Sequence, residues 1–190
     1  MSTVAKNPSA AEYQQMYDNM QILPGHESEI SEAVSLIFQG KERYKSMCKS
    51  VNPLVPWYAI GLAHYMECSC NFNQHIHDGD PLTARTVNEP SGRPVSGQPP
   101  FTWEESCADW MGMKGWNKWQ DWHVTDILAR LEMNNGFGYR NRGIPTPYLW
   151  SYTQWYTSGK YVSDGSFDPN AVSKQAGSAV LLKKILSSSV

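Results

Sequence analysis

The stretch Val55–Arg85, VPWYAIGLAHYMECSCNFNQHIHDGDPLTAR, changes from apolar to polar near its middle. Its first half combines a proline with apolar residues at helical spacing, which predicts a buried helix that begins near Pro56. Glu67 falls near the C-terminal end of this helix. A polar segment that contains Asp78 and Asp80 follows at once.

The junction has the composition that glycoside hydrolysis requires, which is one carboxyl group at the end of a buried helix and a second one a short loop away. Burial raises the pKa of a carboxyl group, so Glu67 is expected to act as a general acid near neutral pH. The alternative is an exposed glutamate in the last turn of a solvated helix. His64, one turn earlier, either tunes the pKa of Glu67 or is a hydrogen-bonded core histidine.

The rest of the chain is predicted to be mainly helical. Capping residues and apolar stripes predict further helices, which cover residues 9–20, 27–49 (with a possible break at Gly40), 102–113, 121–134, 147–159 and a last helix that begins at Asp168-Pro169. Residues 71–100 are rich in Asn, Gly, Pro and Thr, and they predict a loop with a short strand or hairpin after Asp80-Pro81. We therefore expect a helical, bundle-like domain with a small β-hairpin lobe.

The length and composition of the chain limit the classes of function that it can have. A chain of 190 residues predicts one domain, here residues 1–190, with residues 1–20 as an N-terminal helical extension and 71–100 as the loop lobe. A net charge of −2 gives no electrostatic reason to expect nucleic acid or anionic lipid as a partner. The sequence has no apolar run long enough for a membrane span and no apolar signal-peptide region. Its four cysteines are expected to be reduced thiols.

Several sequence blocks resemble a group of short lysozyme-superfamily proteins from phages and bacteria, of the endolysin type. The blocks are E-x-S-x-N-F at 67–72, H-x-H-D-G-D-P-L-T-A-R at 75–85, P-P-F-T-W-E-E-S at 99–106, N-G-F-G-Y-R-N-R-G-I-P-T-P-Y-L-W-S at 135–151 and G-K-Y-V-x-D-G at 159–165. The resemblance covers about residues 27–187. It implies an α+β lysozyme-like fold, a hairpin lobe that flanks an active-site cleft, and cleavage of the glycan strand of bacterial peptidoglycan without a cofactor.

The resemblance also implies roles for individual residues. The catalytic glutamate of lysozyme-like enzymes ends a buried helix just before the hairpin, and Glu67 matches that position. Phage-type lysozymes add an aspartate and a threonine in the hairpin. Asp80 is the preferred second acid because a Gly-Asp-Pro turn would fix its direction, Asp78 is the second choice, and Thr86 would help to position water.

Substrate contacts are expected from the polar segment after Glu67, from the glycine-rich loop and from the helix predicted at 147–159. The residues expected to line the cleft are His75, His77, Asn135, Tyr139, Tyr148 and Gln154. A monomer is expected, made in the cytoplasm and acting on the cell wall after release through a separate pore (a holin) or as part of a virion.

Three alternatives stay open at this point. The same bond could be cleaved by a lytic transglycosylase, in which the substrate itself supplies the nucleophile. The chain could instead be a non-catalytic wall-binding or virion component with a lysozyme fold. Finally, Cys68, Cys70, His75 and His77 give four possible zinc ligands. Residues two apart on a helix point in different directions, which argues against the metal site.

Overall fold

The computed structural model describes residues 9–163 and 165–188. Its elements are α1 (Ala10–Asp18), α2 (Glu27–Gln39), α3 (Lys41–Val51), α4 (Trp57–Cys68), α5 (Trp103–Met113), α6 (Val124–Asn135), a 3-10 turn (Arg140–Arg142), α7 (Pro147–Trp150), β1 (Lys160–Ser163), β2 (Ser166–Asp168) and α8 (Ser178–Ser187). β1 and β2 form a two-stranded antiparallel sheet. The prediction of a mainly helical chain with a small antiparallel sheet is therefore confirmed.

Contacts between Cα atoms divide the chain into two compact units. Unit 1 consists of residues 1–34 together with 123–190, and unit 2 consists of residues 35–122. Unit 2 is a single continuous segment, whereas unit 1 is assembled from both ends of the chain. The candidate acids Glu67, Asp78 and Asp80 all belong to unit 2.

Unit 2 is built around a tyrosine ring in a slot lined by glycine. The predicted break at Gly40 is confirmed, since α2 ends at Gln39 and α3 begins at Lys41. A Cβ at Gly40 would lie 2.5 Å from the ring of Tyr44, and one at Gly61 would lie 3.1 Å from it. Both glycines therefore leave the space in which the ring packs, and the Tyr44 hydroxyl lies 2.9 Å from Nδ1 of His64.

His64 is a core histidine, as one of the two sequence interpretations expected. Its side chain is completely buried, and burial lowers its pKa to about 4, so it is neutral at pH 7. The indole of Trp103 donates to Nε2 of His64 over 3.0 Å. Since an indole N–H can only donate, Nε2 is the acceptor, and the proton of the neutral ring lies on Nδ1, from which it is donated to Tyr44.

Unit 1 contains a buried ion pair that joins α1, α6 and the 3-10 turn. Arg140 donates to both oxygens of Glu132, over 3.0 and 2.9 Å, and the Tyr13 hydroxyl donates to the same carboxylate over 2.7 Å. Ser9 caps α1, since its hydroxyl accepts from the Glu12 amide over 3.2 Å. The Glu12 carboxylate accepts a hydrogen bond from Arg140 over 2.9 Å. The described part of the predicted N-terminal extension is thus fixed to this unit through α1.

Three sequence predictions are wrong in their position. Residues 71–100 contain no strand, because their amide groups bond within local turns or to side-chain oxygens, and only an isolated bridge joins Gln74 to Pro81. The helix predicted at 147–159 ends at Trp150, since Tyr152 takes a left-handed conformation with φ +68°. Asp168 ends β2 and does not begin a helix, because it pairs with Lys160 across the sheet.

Gly177 gives a direct test of the packing in unit 1. It precedes α8, and a Cβ there would overlap the carbonyl group of Leu149 and lie 2.7 Å from the amide nitrogen of Ser151. Because those are backbone atoms, the Gly177→Ala variant is expected to lose about 3 kcal/mol of unfolding free energy, measured by urea denaturation. The matched control is Gly112→Ala in α5, where a Cβ would meet nothing within 4 Å. That variant is expected to gain about 0.5 kcal/mol. Equal effects at the two sites would contradict the packing described.

Candidate active site

The end of α4 presents Glu67 at the edge of the buried part of unit 2. Pro56 directly precedes the helix in an extended conformation, and the residues from Ala59 to His64 are buried. The helix ends because Ser69 and Cys70 take left-handed conformations, with φ of 52° and 59°. Glu67 therefore lies in the last turn and is half-buried, as the sequence predicted.

Lys114 interacts electrostatically with the Glu67 carboxylate. Lys114 follows α5, and burial lowers its pKa, while the negative charge of Glu67 acts in the opposite direction. The positive charge of Lys114 and the negative charge of Glu67 therefore lie within electrostatic range of each other. Lys114 was not predicted from sequence, because a single lysine after a helix carries no local signal of the partner that it meets in the fold.

The turn of Asp78, Gly79 and Asp80, here called the acidic turn, lies against the end of α4. Gly79 has a φ of +86°, and a Cβ there would lie 3.6 Å from the backbone oxygen of Glu67 and 3.7 Å from Cβ of Cys68. The pKa of the Cys68 thiol shows that both acids lie close to it. Burial raises this pKa to about 12, and the charge of Cys70 raises it further. The charges of Glu67 and Asp78 make smaller contributions in the same direction. Glu67 and Asp78 therefore belong to one acidic cluster.

Asp78 has the properties of an acid that changes protonation near neutral pH. Burial raises its pKa to about 6, and repulsion from Asp80 contributes in the same direction. The amide of Asp80 donates to its Oδ1 over 2.9 Å. Its Oδ2 is buried and has no hydrogen-bond partner among the described residues. A desolvated carboxyl oxygen without a donor favours the protonated form.

Asp80 is in the opposite situation, because its carboxylate fastens the loop. Oδ2 accepts hydrogen bonds from the amides of Val87 and Asn88 over 2.7 and 3.1 Å, and Oδ1 accepts from the Asn88 side chain over 2.7 Å. These donors hold the pKa of Asp80 below its ordinary value. Asp80, the preferred second acid from sequence, is thus an ionised anchor of the loop.

Thr86 also serves the loop. Its side chain is buried, its hydroxyl donates to the Pro90 carbonyl over 2.6 Å, and the same oxygen accepts from the Arg93 amide over 2.9 Å. The expectation that Thr86 positions a water molecule is not matched by this geometry, since its one proton is already donated within the loop.

His75 and His77 are buried inside the loop, where a saccharide does not reach them. His75 bonds to Ser106 and the Ala84 carbonyl, both over 2.8 Å. His77 bonds to Ser106 over 3.2 Å and to Asp109 over 2.9 Å. Burial lowers the pKa of His77 to about 4, although Asp109 opposes this shift. Both histidines therefore fix the orientation of the loop and do not line a cleft, and Asp109 is an anchor that was not predicted from the sequence.

The metal alternative has no support in this geometry. Cys68, Cys70, His75 and His77 do not converge, and within residues 9–163 and 165–188 no group of three or more His, Cys, Asp or Glu side chains could hold a metal ion. All four cysteines are free thiols. The same described part of the chain has no helix long and apolar enough to cross a membrane.

The expected substrate-binding residues outside the loop belong to unit 1, and most make internal hydrogen bonds. Asn135 donates to Thr146 over 3.1 Å. The Tyr139 hydroxyl accepts from the Tyr161 amide over 3.1 Å. The Gln154 side-chain amide donates to the Asn19 carbonyl over 2.7 Å and accepts from the Gln21 backbone amide over 2.8 Å. Tyr148 is almost fully buried in α7. Saccharide contacts through these four side chains stay a prediction.

Comparisons with known proteins add no relative, since no family model, no curated protein and no solved structure matches the chain.

Proposed function

We propose that the protein cleaves the β-1,4 bond between N-acetylmuramic acid and N-acetylglucosamine in the glycan strands of bacterial peptidoglycan. The observation that carries this proposal is the acidic cluster at the end of α4. The acidic turn lies so close to this helix end that a Cβ added at Gly79 would be 3.6 Å from the Glu67 carbonyl oxygen. A half-buried glutamate that ends a buried helix and faces an acidic loop is the arrangement that glycosidases of the lysozyme superfamily use. The resemblance of the sequence blocks supports the same class.

In this proposal Glu67 is the general acid. The glycosidic oxygen is a poor leaving group, so Glu67 must protonate it as the bond to C1 of the sugar breaks. Water then adds to C1, and a carboxylate accepts the proton that the water releases. Lys114 lies within electrostatic range of Glu67, and its positive charge would accompany the carboxylate that is left after the proton has been transferred. Glu67 then takes up a proton from solvent before the next turnover.

Asp78 is the better candidate for the second carboxyl group. A group with a pKa of about 6 is present in both protonation states near neutral pH, which suits the acceptance and release of a proton. Asp80 has a lowered pKa and three internal hydrogen bonds, so we assign it the role of anchoring the loop that carries Asp78.

A lytic transglycosylase is the second candidate function, because one observation favours it. The Asp80 carboxylate and the Thr86 hydroxyl are both engaged within the loop, and neither is available to position a water molecule in the way that a phage-type lysozyme would require. In a transglycosylase the C6 hydroxyl of the muramic acid attacks C1 of the same sugar, its proton passes to a carboxylate, and no water is consumed.

Product analysis tests the proposal and separates the two reactions. Purified peptidoglycan is digested with the wild-type protein, and the soluble fragments are analysed by mass spectrometry with and without borohydride reduction. Hydrolysis is expected to give reducing ends, which gain two hydrogen atoms on reduction. Anhydro ends, lighter by one water and inert to borohydride, would assign the transglycosylase reaction. If no fragments are released, both enzymatic proposals are wrong and a non-catalytic wall-binding role is left.

A further inference from the structure

A groove between α3 and the start of α4 is not used by the proposed chemistry at Glu67. Its volume is about 460 Å³. It is lined by Lys45, Cys48, Lys49, Pro53, Val55, Pro56 and Trp57, all of which belong to unit 2. No aspartate or glutamate is among these described residues, so the groove combines apolar walls with positive charge alone.

The positive charge comes from a row of lysines on one face of α3. Lys41, Lys45 and Lys49 are each four residues apart, so they form a row about 12 Å long parallel to the helix axis. Lys45 donates to Glu42 over 2.8 Å, whereas Lys41 and Lys49 make no ion pair within residues 9–163 and 165–188. The row therefore keeps a net positive charge that faces solvent.

Aromatic rings lie directly beside this row. The Lys41 ammonium is 5.2 Å from the centroid of the Trp57 ring and 5.5 Å from that of the Phe38 ring. The two rings meet edge to face, with their centroids 5.3 Å apart, and both residues are only half-buried. An indole in this position, with apolar and charged neighbours, is typical of residues at the boundary between water and a membrane.

An exposed leucine completes the apolar part of this surface. Leu54 is 53% exposed, although the next residue, Val55, is buried and lines the groove. The loop that carries Leu54 is fixed, because Asn52 accepts from the Leu54 amide over 3.1 Å and donates to the carbonyls of Trp116 and Trp119 over 2.9 and 2.8 Å. Hydrogen bonds thus hold the leucine in water, and a partner with an apolar interior would remove it from water.

We propose that this face of unit 2, formed by Lys41, Lys45, Lys49, Leu54 and Trp57, binds the surface of a membrane that contains anionic phospholipids. The lysines meet the lipid phosphates, Trp57 lies at the level of the headgroups, and Leu54 enters the outer edge of the acyl chains. Positive charge alone suits any polyanion, but an exposed leucine and an indole beside it select a partner that is apolar beneath a charged surface. The net charge of −2 does not indicate such a partner, because it does not show how the charge is distributed.

The test is sedimentation of the protein with large vesicles, made either of phosphatidylcholine alone or of phosphatidylcholine with an equal amount of phosphatidylglycerol. Binding to the mixed vesicles is expected to be at least about tenfold stronger than to the neutral ones, and to weaken as added salt screens the charges. Lys49→Gln is expected to weaken binding about fivefold and Leu54→Ser about tenfold. Both side chains are exposed, so the variants are expected to fold.

The matched controls are Lys118→Gln and Val95→Ser, at exposed residues of unit 2 that do not line the groove. Both are expected to bind like the wild type. Absence of binding to the mixed vesicles, equal binding to both kinds of vesicle, or wild-type binding by both Lys49→Gln and Leu54→Ser would overturn the proposal. Weaker binding by Lys49→Gln with no effect of Leu54→Ser would also overturn it, because the face would then recognise charge alone and its partner would be a soluble polyanion.

Discussion

The Glu67→Gln variant is expected to lose wall-lytic activity by about 10³-fold, because an amide cannot protonate the glycosidic oxygen at neutral pH. The size and shape of the side chain are retained, and Glu67 is only half-buried at the end of α4, so the fold is expected to persist. The measurement is the rate at which purified peptidoglycan loses turbidity, with circular dichroism at the same protein concentration to verify the helical content.

The matched control for this variant is Glu89→Gln, which makes the same change at an exposed glutamate of the loop in unit 2. It is expected to keep wild-type activity. If Glu67→Gln lyses walls at the wild-type rate, Glu67 is not the general acid and the enzymatic proposal fails at its centre. If both variants lose activity equally, the loss reflects net charge and not the proton donor.

The Asp78→Asn variant is expected to be more stable than the wild type at pH 7 and yet at least tenfold less active. In the folded protein burial raises the pKa of Asp78 to about 6 from 3.8, so the stability that the protonated group contributes is fully present below pH 3.8 and is lost as the pH rises through 6. At pH 7 the ionised group therefore opposes folding. Asparagine removes the charge and keeps the oxygen that accepts from the Asp80 amide.

The expected gain in unfolding free energy at pH 7 is about 1 kcal/mol, which is well below the full linkage value because solvent screens a half-exposed carboxylate. It would be measured by urea denaturation at pH 4, 6 and 7, and the gain should disappear at pH 4. Activity of the wild type is expected to fall as the pH drops through about 6, since Asp78 must be ionised to accept a proton.

Asp80→Asn provides a control of opposite sign. Hydrogen bonds from Val87 and Asn88 lower the pKa of Asp80, so its stabilising effect is present above pH 3.8 and is lost as the pH falls further. This variant is expected to be less stable than the wild type at pH 7. A gain in both variants would contradict the assignment of Asp78 as the desolvated acid and Asp80 as the loop anchor.

Local signals in the sequence predicted those parts of the fold that depend on neighbouring residues. The helix predicted at 102–113 is α5, which a capping box of Thr102 and Glu105 begins, and the glycine at position 40 separates two helices. The end of α4 and the half-buried position of Glu67 were also predictable, because the apolar run stops there. Gly165 lies between β1 and β2 with a φ of +69°, and this glycine is a hairpin signal that the prediction overlooked.

Features that depend on distant contacts could not be predicted in the same way. The helix predicted at 147–159 has a continuous aromatic pattern, yet it ends at Trp150 because Tyr152 is fixed by Lys174 and Leu23, which are far away in sequence. The roles of Asp78 and Asp80 depend on where residues 87–88 fold back, and a Gly-Asp-Pro turn contains no information about that. Lys114 was missed for the same reason, since nothing near it in sequence indicates Glu67.

The division of unit 1 between the two ends of the chain has a consequence for biosynthesis. The ribosome completes residues 35–122, the whole of unit 2, before it has made α6, against which α1 packs. Synthesis proceeds at about 5–20 residues per second, so α1 waits for several seconds with its Tyr13 hydroxyl lacking the carboxylate of Glu132 that accepts its hydrogen bond in the finished protein. A chain that stops before α6 is therefore expected to leave α1 open to proteases.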